Sequence, residues 1–156
     1  MIRVLFVCLG NICRSPMAEA VLKKLIREEG LEEKIEVDSA GTGSWHTGSE
    51  PHEGTRAILD KYDIDYSGMA ARTINKADLT RFQYIICMDA ENLGNLHRMA
   101  GFQKTGFIGR LMDFAENQEN ADVPDPYFTG NFDEVYEMVT DGCKGLLKTI
   151  KDENNL

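Results

Sequence analysis

Short apolar runs divide the chain into a regular series of buried and amphipathic segments. Continuous apolar runs fill 4–7 and 84–88, within the segments 2–7 and 82–89, and a third segment at 35–40 carries the apolar residues Ile35, Val37 and Ala40. Runs of this length without polar alternation are typical of strands that are buried on both faces. The pattern therefore predicts strands at 2–7, 35–40 and 82–89, and a fourth strand within 105–114.

Segments with helical periodicity separate these strands. The first helix is predicted to have Ser15 as its N-cap and Pro16 at its first helical position, and to end near Gly30. Serine satisfies free N–H groups at a helix start, where proline has no N–H to lose. Further helices are predicted at 52–62, 76–80, 90–99 and 131–151, and surface loops at 41–51 and 116–131.

Strands that alternate with helices predict an α/β fold, with three α/β/α layers and a central four-stranded parallel sheet. No linker, charge block or repeat interrupts 1–156, so we expect a single domain. Ligands bind at the carboxyl ends of the strands in such sheets. Cys8 and Asp89 lie at predicted carboxyl ends, and Ser39 lies close to one.

Composition narrows the possible partners. The 156 residues are 42% hydrophobic and have a net charge of −9, which argues against broad binding to nucleic acid or to an anionic membrane. The four cysteines and three histidines are scattered, so we expect neither a disulfide framework nor a metal or other cofactor. No apolar stretch has signal-peptide or transmembrane character, which leaves the cytoplasm as the default location.

The segment 8–15, read as CLGNICRS, has the properties of an anion-binding loop. A turn from a strand into a helix points several backbone N–H groups into one hollow, and the helix dipole adds positive potential. Gly10 permits the tight turn, and Asn11 tolerates a left-handed conformation. The planar guanidinium of Arg14 suits two oxygens of a phosphate.

The same environment favours the thiolate form of Cys8, which is the nucleophilic form of a cysteine. A nucleophile and an anion site in one loop indicate phosphoryl transfer through a phosphocysteine. The competing interpretation is a buried structural cysteine with an arginine that reaches solvent. The preceding strand and the Ser-Pro helix start favour catalysis.

Asp125 lies between Pro124 and Pro126 in the second polar loop. A stiff loop can hold a carboxylic acid over a distant site, as general acid catalysis requires. Taken alone, the segment favours an ordinary Asp-Pro turn.

Together, VLFVCLGNICRSPMAEAV, VDSAGT, YIICMDAEN and DPYF resemble signatures of the low-molecular-weight protein tyrosine phosphatases. The resemblance spans nearly the whole chain. It implies a phosphatase I-like fold and metal-independent hydrolysis of phosphotyrosine. It also implies tyrosine-phosphorylated proteins as partners, phosphate and other oxyanions as inhibitors in the loop, and a monomer or weak dimer.

Residue roles follow from this resemblance. Cys8 would be the nucleophile, Arg14 would bind the phosphoryl oxygens, and Asp125 would protonate the leaving oxygen and then activate water. The rest of the phosphate-binding loop would be Leu9, Gly10, Asn11, Ile12, Cys13 and Ser15.

The resemblance also implies supporting residues. Asn11, Ser15 and Ser39 would form a hydrogen-bonded shell around the thiolate, and Asp89 would orient the arginine of the loop. Cys13 would trap the oxidised nucleophile as a reversible disulfide. The alternative for Cys13 is a small buried packing residue.

Tyr127 and Trp45 would form the walls of a deep slot that favours phosphotyrosine over phosphoserine. Trp45 is also consistent with a partly buried loop anchor. The chain departs from the family at two places: Phe128 stands where many members have a second tyrosine, and Met69 stands where members often have a histidine that supports the loop asparagine.

Two related activities are weaker alternatives. Arsenate reductases of this fold need further cysteines, but Gly94 stands where the second of these is expected after Cys87, and Cys143 is in the last helix. Protein-arginine phosphatases typically have threonine where this chain has Ile12, whose apolar side chain better suits an aromatic ring. A phosphate-binding module without turnover would need neither the cysteine nor Asp125.

Overall fold

The computed structural model describes residues 1–116 and 121–156. Four parallel strands form one sheet in the order β2-β1-β3-β4. A 3₁₀ turn at Leu111–Phe114 follows the last strand. The helices and strands, in chain order, are β1 Ile2–Cys8, α1 Arg14–Glu28, β2 Ile35–Gly41, α2 Glu53–Lys61, α3 Asp78–Arg81, β3 Tyr84–Cys87, α4 Ala90–Ala100, β4 Phe107–Arg110, α5 Pro126–Thr129 and α6 Phe132–Asn154.

Helices cover both faces of the sheet. The larger apolar cluster joins α1, α2 and α6 to one face, and the smaller joins α3 and α4 to the other. β1 supplies both clusters: Val4 and Phe6 belong to the first, and Leu5 and Val7 to the second. All four of these side chains are fully buried, which explains why β1 shows no polar alternation.

The predicted three-layer fold with a parallel sheet is confirmed, and most element boundaries differ by one or two residues. The predicted N-cap role of Ser15 is wrong: α1 begins at Arg14, and Cys13 lies at the N-cap without a side-chain capping bond. The 105–114 segment is a strand only at Phe107–Arg110. The predicted loop at 116–131 contains α5, and its residues 117–120 lie outside the described residues.

Within the described residues, no helix combines the length and apolarity that crossing a membrane requires.

The packing of α6 against the 3₁₀ turn leads to a stability prediction. A Cβ atom on Gly145 would lie 1.8 Å from the carbonyl oxygen of Phe114, which is backbone and cannot rotate away. We expect Gly145→Ala to lower the free energy of unfolding by about 1–3 kcal/mol. Urea denaturation measures this change.

Gly94→Ala in α4 is the matched control. The nearest atom to its added Cβ is Arg98 Nη1 at 3.5 Å, an ordinary contact with a flexible side chain. Alanine is the better helix former, so this variant should be as stable as the wild type or up to about 1 kcal/mol more stable. Equal stabilities of Gly145→Ala and wild type would contradict the close approach of α6 to Phe114.

Candidate active site

The loop between β1 and α1 encloses the sulfur of Cys8, the last residue of β1. The backbone N–H of Asn11 donates to Cys8 Sγ at 3.2 Å, and Ser15 Oγ lies 3.0 Å from the same sulfur. Asn11 reaches this position with a left-handed backbone, at φ 58°. The cysteine is only 2% exposed, so these donors, and not bulk water, solvate the sulfur. The start of α1 adds free N–H groups and positive potential nearby.

The direction of the Ser15 hydroxyl bond follows from its neighbours. Asn11 Nδ2 donates to Ser15 Oγ at 2.8 Å, which occupies an acceptor site of that oxygen. The hydroxyl proton is then free to be donated to Cys8 Sγ, where it stabilises a thiolate. Asn11 Nδ2 also donates to Ser39 Oγ at 3.0 Å. The sequence-predicted Asn11, Ser15 and Ser39 therefore form one network around the sulfur.

Arg14 is buried beneath the loop, at 2% exposure. Its Nη1 donates to Asp89 Oδ2 at 2.6 Å and to the carbonyl of Val123 at 3.0 Å, and its Nη2 lies 3.4 Å from Asp125 Oδ2. Burial opposes its charge, but the sulfur of Cys8 and the two carboxylates raise the pKa of the guanidinium above its ordinary value. The side chain therefore stays cationic next to the sulfur.

One donor of Arg14 is left over. Its Nε is buried without a hydrogen-bond partner among the described residues. Buried donors are normally paired, because an unpaired N–H costs free energy. This donor is therefore available to an acceptor atom of a ligand.

Asp125 is held by the turn that it caps. Its Oδ1 accepts from the backbone N–H of Tyr127 at 3.1 Å, at the start of the short helix α5. Its Oδ2 faces Arg14, and its side chain lines the same cavity as Cys8. The structure therefore brings the predicted nucleophile and the predicted general acid to one cavity, although 117 residues separate them in the chain.

That cavity has a volume of about 360 Å³, which suits a small group such as a phosphorylated side chain. The predicted loop residues Asn11, Arg14 and Ser15 are buried behind its surface, and Ser39 and Asp89 lie behind them. Loop residues and aromatic rings line the cavity: Cys8, Leu9, Gly10, Ile12, Cys13, Trp45, His46, Asp125, Tyr127 and Phe128.

Sequence reasoning missed two wall residues, His46 and Phe128. His46 covers Gly10 so closely that a Cβ atom there would lie 3.0 Å from His46 Cδ2. The ring of Tyr127 lies between them, with centroids 6.0 Å from His46 and 5.3 Å from Phe128. Both residues are sequence neighbours of predicted wall residues, but loop side-chain directions cannot be read from spacing.

Sequence reasoning also missed two supports of the loop. Ser39 Oγ donates to Glu19 Oε1 at 2.6 Å, and the backbone N–H of Arg72 donates to Asn11 Oδ1 at 2.9 Å. Glu19 follows Ser15 by four residues on α1, so helical spacing could have found it. Met69 lines the same small cavity as Asn11. Its thioether has no N–H to donate, and the main chain of Arg72 makes the bond to Asn11.

The other cysteines are placed differently. Cys87 and Cys143 do not line the cavity, and their burial raises the pKa of each thiol, for Cys87 to about 12. Cys13 does line the cavity, and burial, Asp125 and Cys8 raise its pKa to about 12. Among the described residues, no three His, Cys, Asp or Glu side chains are grouped to hold a metal ion.

Comparison with known proteins gives consistent matches. A family model described as "Low molecular weight phosphotyrosine protein phosphatase" matches residues 3–156. The low molecular weight protein-tyrosine-phosphatase YfkJ of Bacillus subtilis is 56% identical over the full length of both chains. Its crystal structure matches with a TM-score of 0.95 over 98% of this chain and 96% of that one, at 57% identity.

A second relative, the low molecular weight protein-tyrosine-phosphatase PtpA of Staphylococcus epidermidis, is 46% identical, covering 100% of this chain and 98% of its own.

The thiol environments predict selective alkylation. At pH 7 the buried Cys13 and Cys87 remain protonated, since the pKa of each is raised to about 12. We therefore expect one equivalent of iodoacetamide to modify Cys8 alone, because its sulfur lies among donors and lines the cavity. Peptide mass spectrometry identifies the site, and inorganic phosphate should slow the reaction. Alkylation of Cys13 before Cys8 would contradict the site described.

Proposed function

Since the chain belongs to the low molecular weight phosphotyrosine protein phosphatase family, we propose that it hydrolyses phosphotyrosine in proteins through a phosphocysteine on Cys8. The observation that carries the proposal is the meeting of Cys8 and Asp125 in one cavity, with the guanidinium of Arg14 beside both. These three groups supply a nucleophile, a proton donor and a cation for one phosphoryl group.

In the first step, the Cys8 thiolate attacks phosphorus and an S–P bond forms. The bond from phosphorus to the tyrosine oxygen breaks, and protonated Asp125 gives its proton to that oxygen. Arg14 and the backbone N–H groups of the loop hold the other phosphoryl oxygens. The hydroxyl of Ser15 stabilises the attacking sulfur before the reaction.

In the second step, ionised Asp125 takes a proton from a water molecule as the water oxygen attacks phosphorus. The S–P bond breaks, the electron pair returns to Cys8, and inorganic phosphate leaves. Asp125 ends protonated and Cys8 ends as a thiolate, so the cycle closes without a cofactor. The N–H bond to Cys8 Sγ, from Asn11, favours sulfur as the leaving group because it stabilises the returning charge.

The walls of the cavity support an aromatic substrate. Trp45 and Tyr127 supply aromatic faces, and Ile12 adds an apolar side chain that is 7% exposed. A phenyl ring gains from such contacts, whereas the guanidinium of phosphoarginine gains more from hydrogen-bond acceptors. Phosphoarginine hydrolysis is therefore not favoured. Arsenate reduction is not favoured either, because Cys87 and Cys143 do not line the cavity.

The proposal also includes regulation of the enzyme by oxidation of Cys8. Cys13 lines the cavity beside Cys8, which suits a thiol that condenses with a sulfenic acid formed there by peroxide, releasing water.

We include in the proposal a single catalytic domain over 1–156, a cytoplasmic location, and a monomer or weak dimer. Its partners would be tyrosine-phosphorylated proteins, and phosphate and other oxyanions would compete for the loop.

Replacement of Asp125 tests the general acid. With a phosphotyrosine peptide, Asp125→Asn should lower kcat/KM about 100-fold or more, because the basic phenolate leaves without a proton. With para-nitrophenyl phosphate the loss should be much smaller, because nitrophenolate leaves unaided. Asp133→Asn, at an exposed carboxylate in the first turn of α6, is the control. Equal losses on both substrates would contradict the role of Asp125.

Replacement of Cys8 tests the nucleophile and the substrate class together. Cys8→Ser should abolish release of phosphate from a phosphotyrosine peptide in the presence of a chelator, while the variant still captures the peptide. Cys143→Ala, at a buried cysteine outside the cavity, should remain active. Parallel assays with phosphoserine and phosphoarginine peptides should give much lower kcat/KM for the wild type. Faster hydrolysis of phosphoarginine would overturn the assignment to tyrosine.

A further inference from the structure

The main chain of Arg72 joins the end of β2 to the phosphate-binding loop. Its N–H donates to Asn11 Oδ1 at 2.9 Å, and its carbonyl accepts from the N–H of Gly41 at 2.8 Å. The N–H of Ile74 then donates to the carbonyl of Gly41 at 2.9 Å. The segment at 72–74 therefore lies as a short parallel bridge beside β2, with one N–H directed at the catalytic loop.

The side chain of Arg72 anchors this segment. Its Nη1 and Nη2 donate to the two oxygens of Asp78 at 3.0 and 3.1 Å, a bidentate pair. Its Nε and Nη2 contact Asp38 Oδ2 at 3.2 and 3.0 Å. Because Asp78 is only 4% exposed, loss of Arg72 would leave a buried carboxylate without its cation.

Burial opposes the charge of Arg72, yet Asp78 and Asp38 raise the pKa of the guanidinium above its ordinary value. The guanidinium of Arg72 thus stays charged throughout the pH range of phosphatase assays. Asp78 is held from a second direction, because it also accepts from the N–H of Asn75 at 2.9 Å. The side chain of Arg72 and the backbone of Asn75 thus both donate to the carboxylate of Asp78.

The amide orientation of Asn11 depends on this anchor. An asparagine amide can rotate by half a turn, which exchanges its donor and acceptor ends. The N–H of Arg72 requires the oxygen on its own side, so the Nδ2 group must face Ser15 and Ser39. With the amide reversed, Ser15 would meet a carbonyl oxygen and would turn its proton towards Asn11 and away from Cys8.

We propose that Arg72 is a positioning residue for the reaction: its ion pairs with Asp78 and Asp38 hold its backbone N–H on Asn11, and Asn11 in turn directs the Ser15 hydroxyl to the Cys8 sulfur. The inference rests on the proposed function of Cys8 as the nucleophile. The charged group of Arg72 does not touch the substrate in this proposal. Its effect on Cys8 passes through three hydrogen bonds: from Arg72 N–H to Asn11, from Asn11 to Ser15, and from Ser15 to the Cys8 sulfur.

The test compares Arg72→Ala, Arg72→Lys and Asp78→Asn with the wild type. We expect Arg72→Ala to lower kcat/KM for para-nitrophenyl phosphate by about 10- to 100-fold, the range that a displaced catalytic group can cost. It should also slow alkylation of Cys8 by iodoacetamide at pH 6 more than at pH 9. Arg72→Lys keeps the charge and should fall between wild type and Arg72→Ala, since lysine cannot bind Asp78 with two parallel bonds.

Arg3→Ala is the matched control. Arg3 pairs with Glu36 across β1 and β2, but at the end of the sheet opposite the loop. Its loss should leave the kcat/KM and the pH profile of alkylation unchanged. This control separates the loss of any surface ion pair from the loss of the anchor at Arg72.

A double-mutant cycle identifies the route. In an Asn11→Ala background the acceptor is gone, so Arg72→Ala should cause little further loss of kcat/KM. If the losses of kcat/KM from the two substitutions multiplied independently, the route through Asn11 would be overturned.

Folded Arg72 and Asp78 variants with wild-type kinetics and alkylation would overturn the positioning role, even if their melting temperatures fell. A wild type that turns over no phosphotyrosine would instead contradict the proposed function, while the alkylation profile still tests Arg72.

Discussion

The thiolate that we propose at the buried sulfur of Cys8 is the constraint on which the rest of the site depends. Charge is expensive to bury unless donors replace the lost water. Here the donors are the Asn11 N–H, the Ser15 hydroxyl and the start of α1, with Arg14 close by. The left-handed backbone of Asn11 and the tight turn around it follow from the need to aim these groups at one point.

Arg14 links this loop to the other side of the cavity. It reaches Asp89 after β3 and Val123 and Asp125 in the segment before α5, so one buried side chain connects three parts of the chain. Two carboxylates near one guanidinium keep its charge, and the fork geometry sets their directions. The net charge of −9 is therefore compatible with the anion binding that we propose, because the local donors are buried, close and oriented.

Residues on two sides of the phosphate-binding loop hold its hydrogen-bonding side chains in place. On one side, Glu19 accepts from Ser39 and pairs with Lys23 at 2.5 Å. On the other side, the main chain of Arg72 bonds to Asn11, which lines a small cavity together with Met69. The loop asparagine is thus held by a backbone donor, and the ion pairs of the Arg72 side chain with Asp78 anchor the segment that carries this donor.

Local chemistry in the sequence determined the strand at β1, the turn at 8–14, and the fold class, because apolar periodicity and turn residues act over a few positions. It also singled out Cys8, Arg14 and Asp125 as candidates, through a loop motif and a stiff Asp-Pro segment that resemble a known family. Only the tertiary structure decided that Ser15 does not cap α1, that His46 covers Gly10, and that Arg72 reaches Asn11. These contacts depend on side-chain directions in loops and on the backbone N–H of Arg72, which is 61 residues from Asn11. Neither produces a periodic pattern in the sequence.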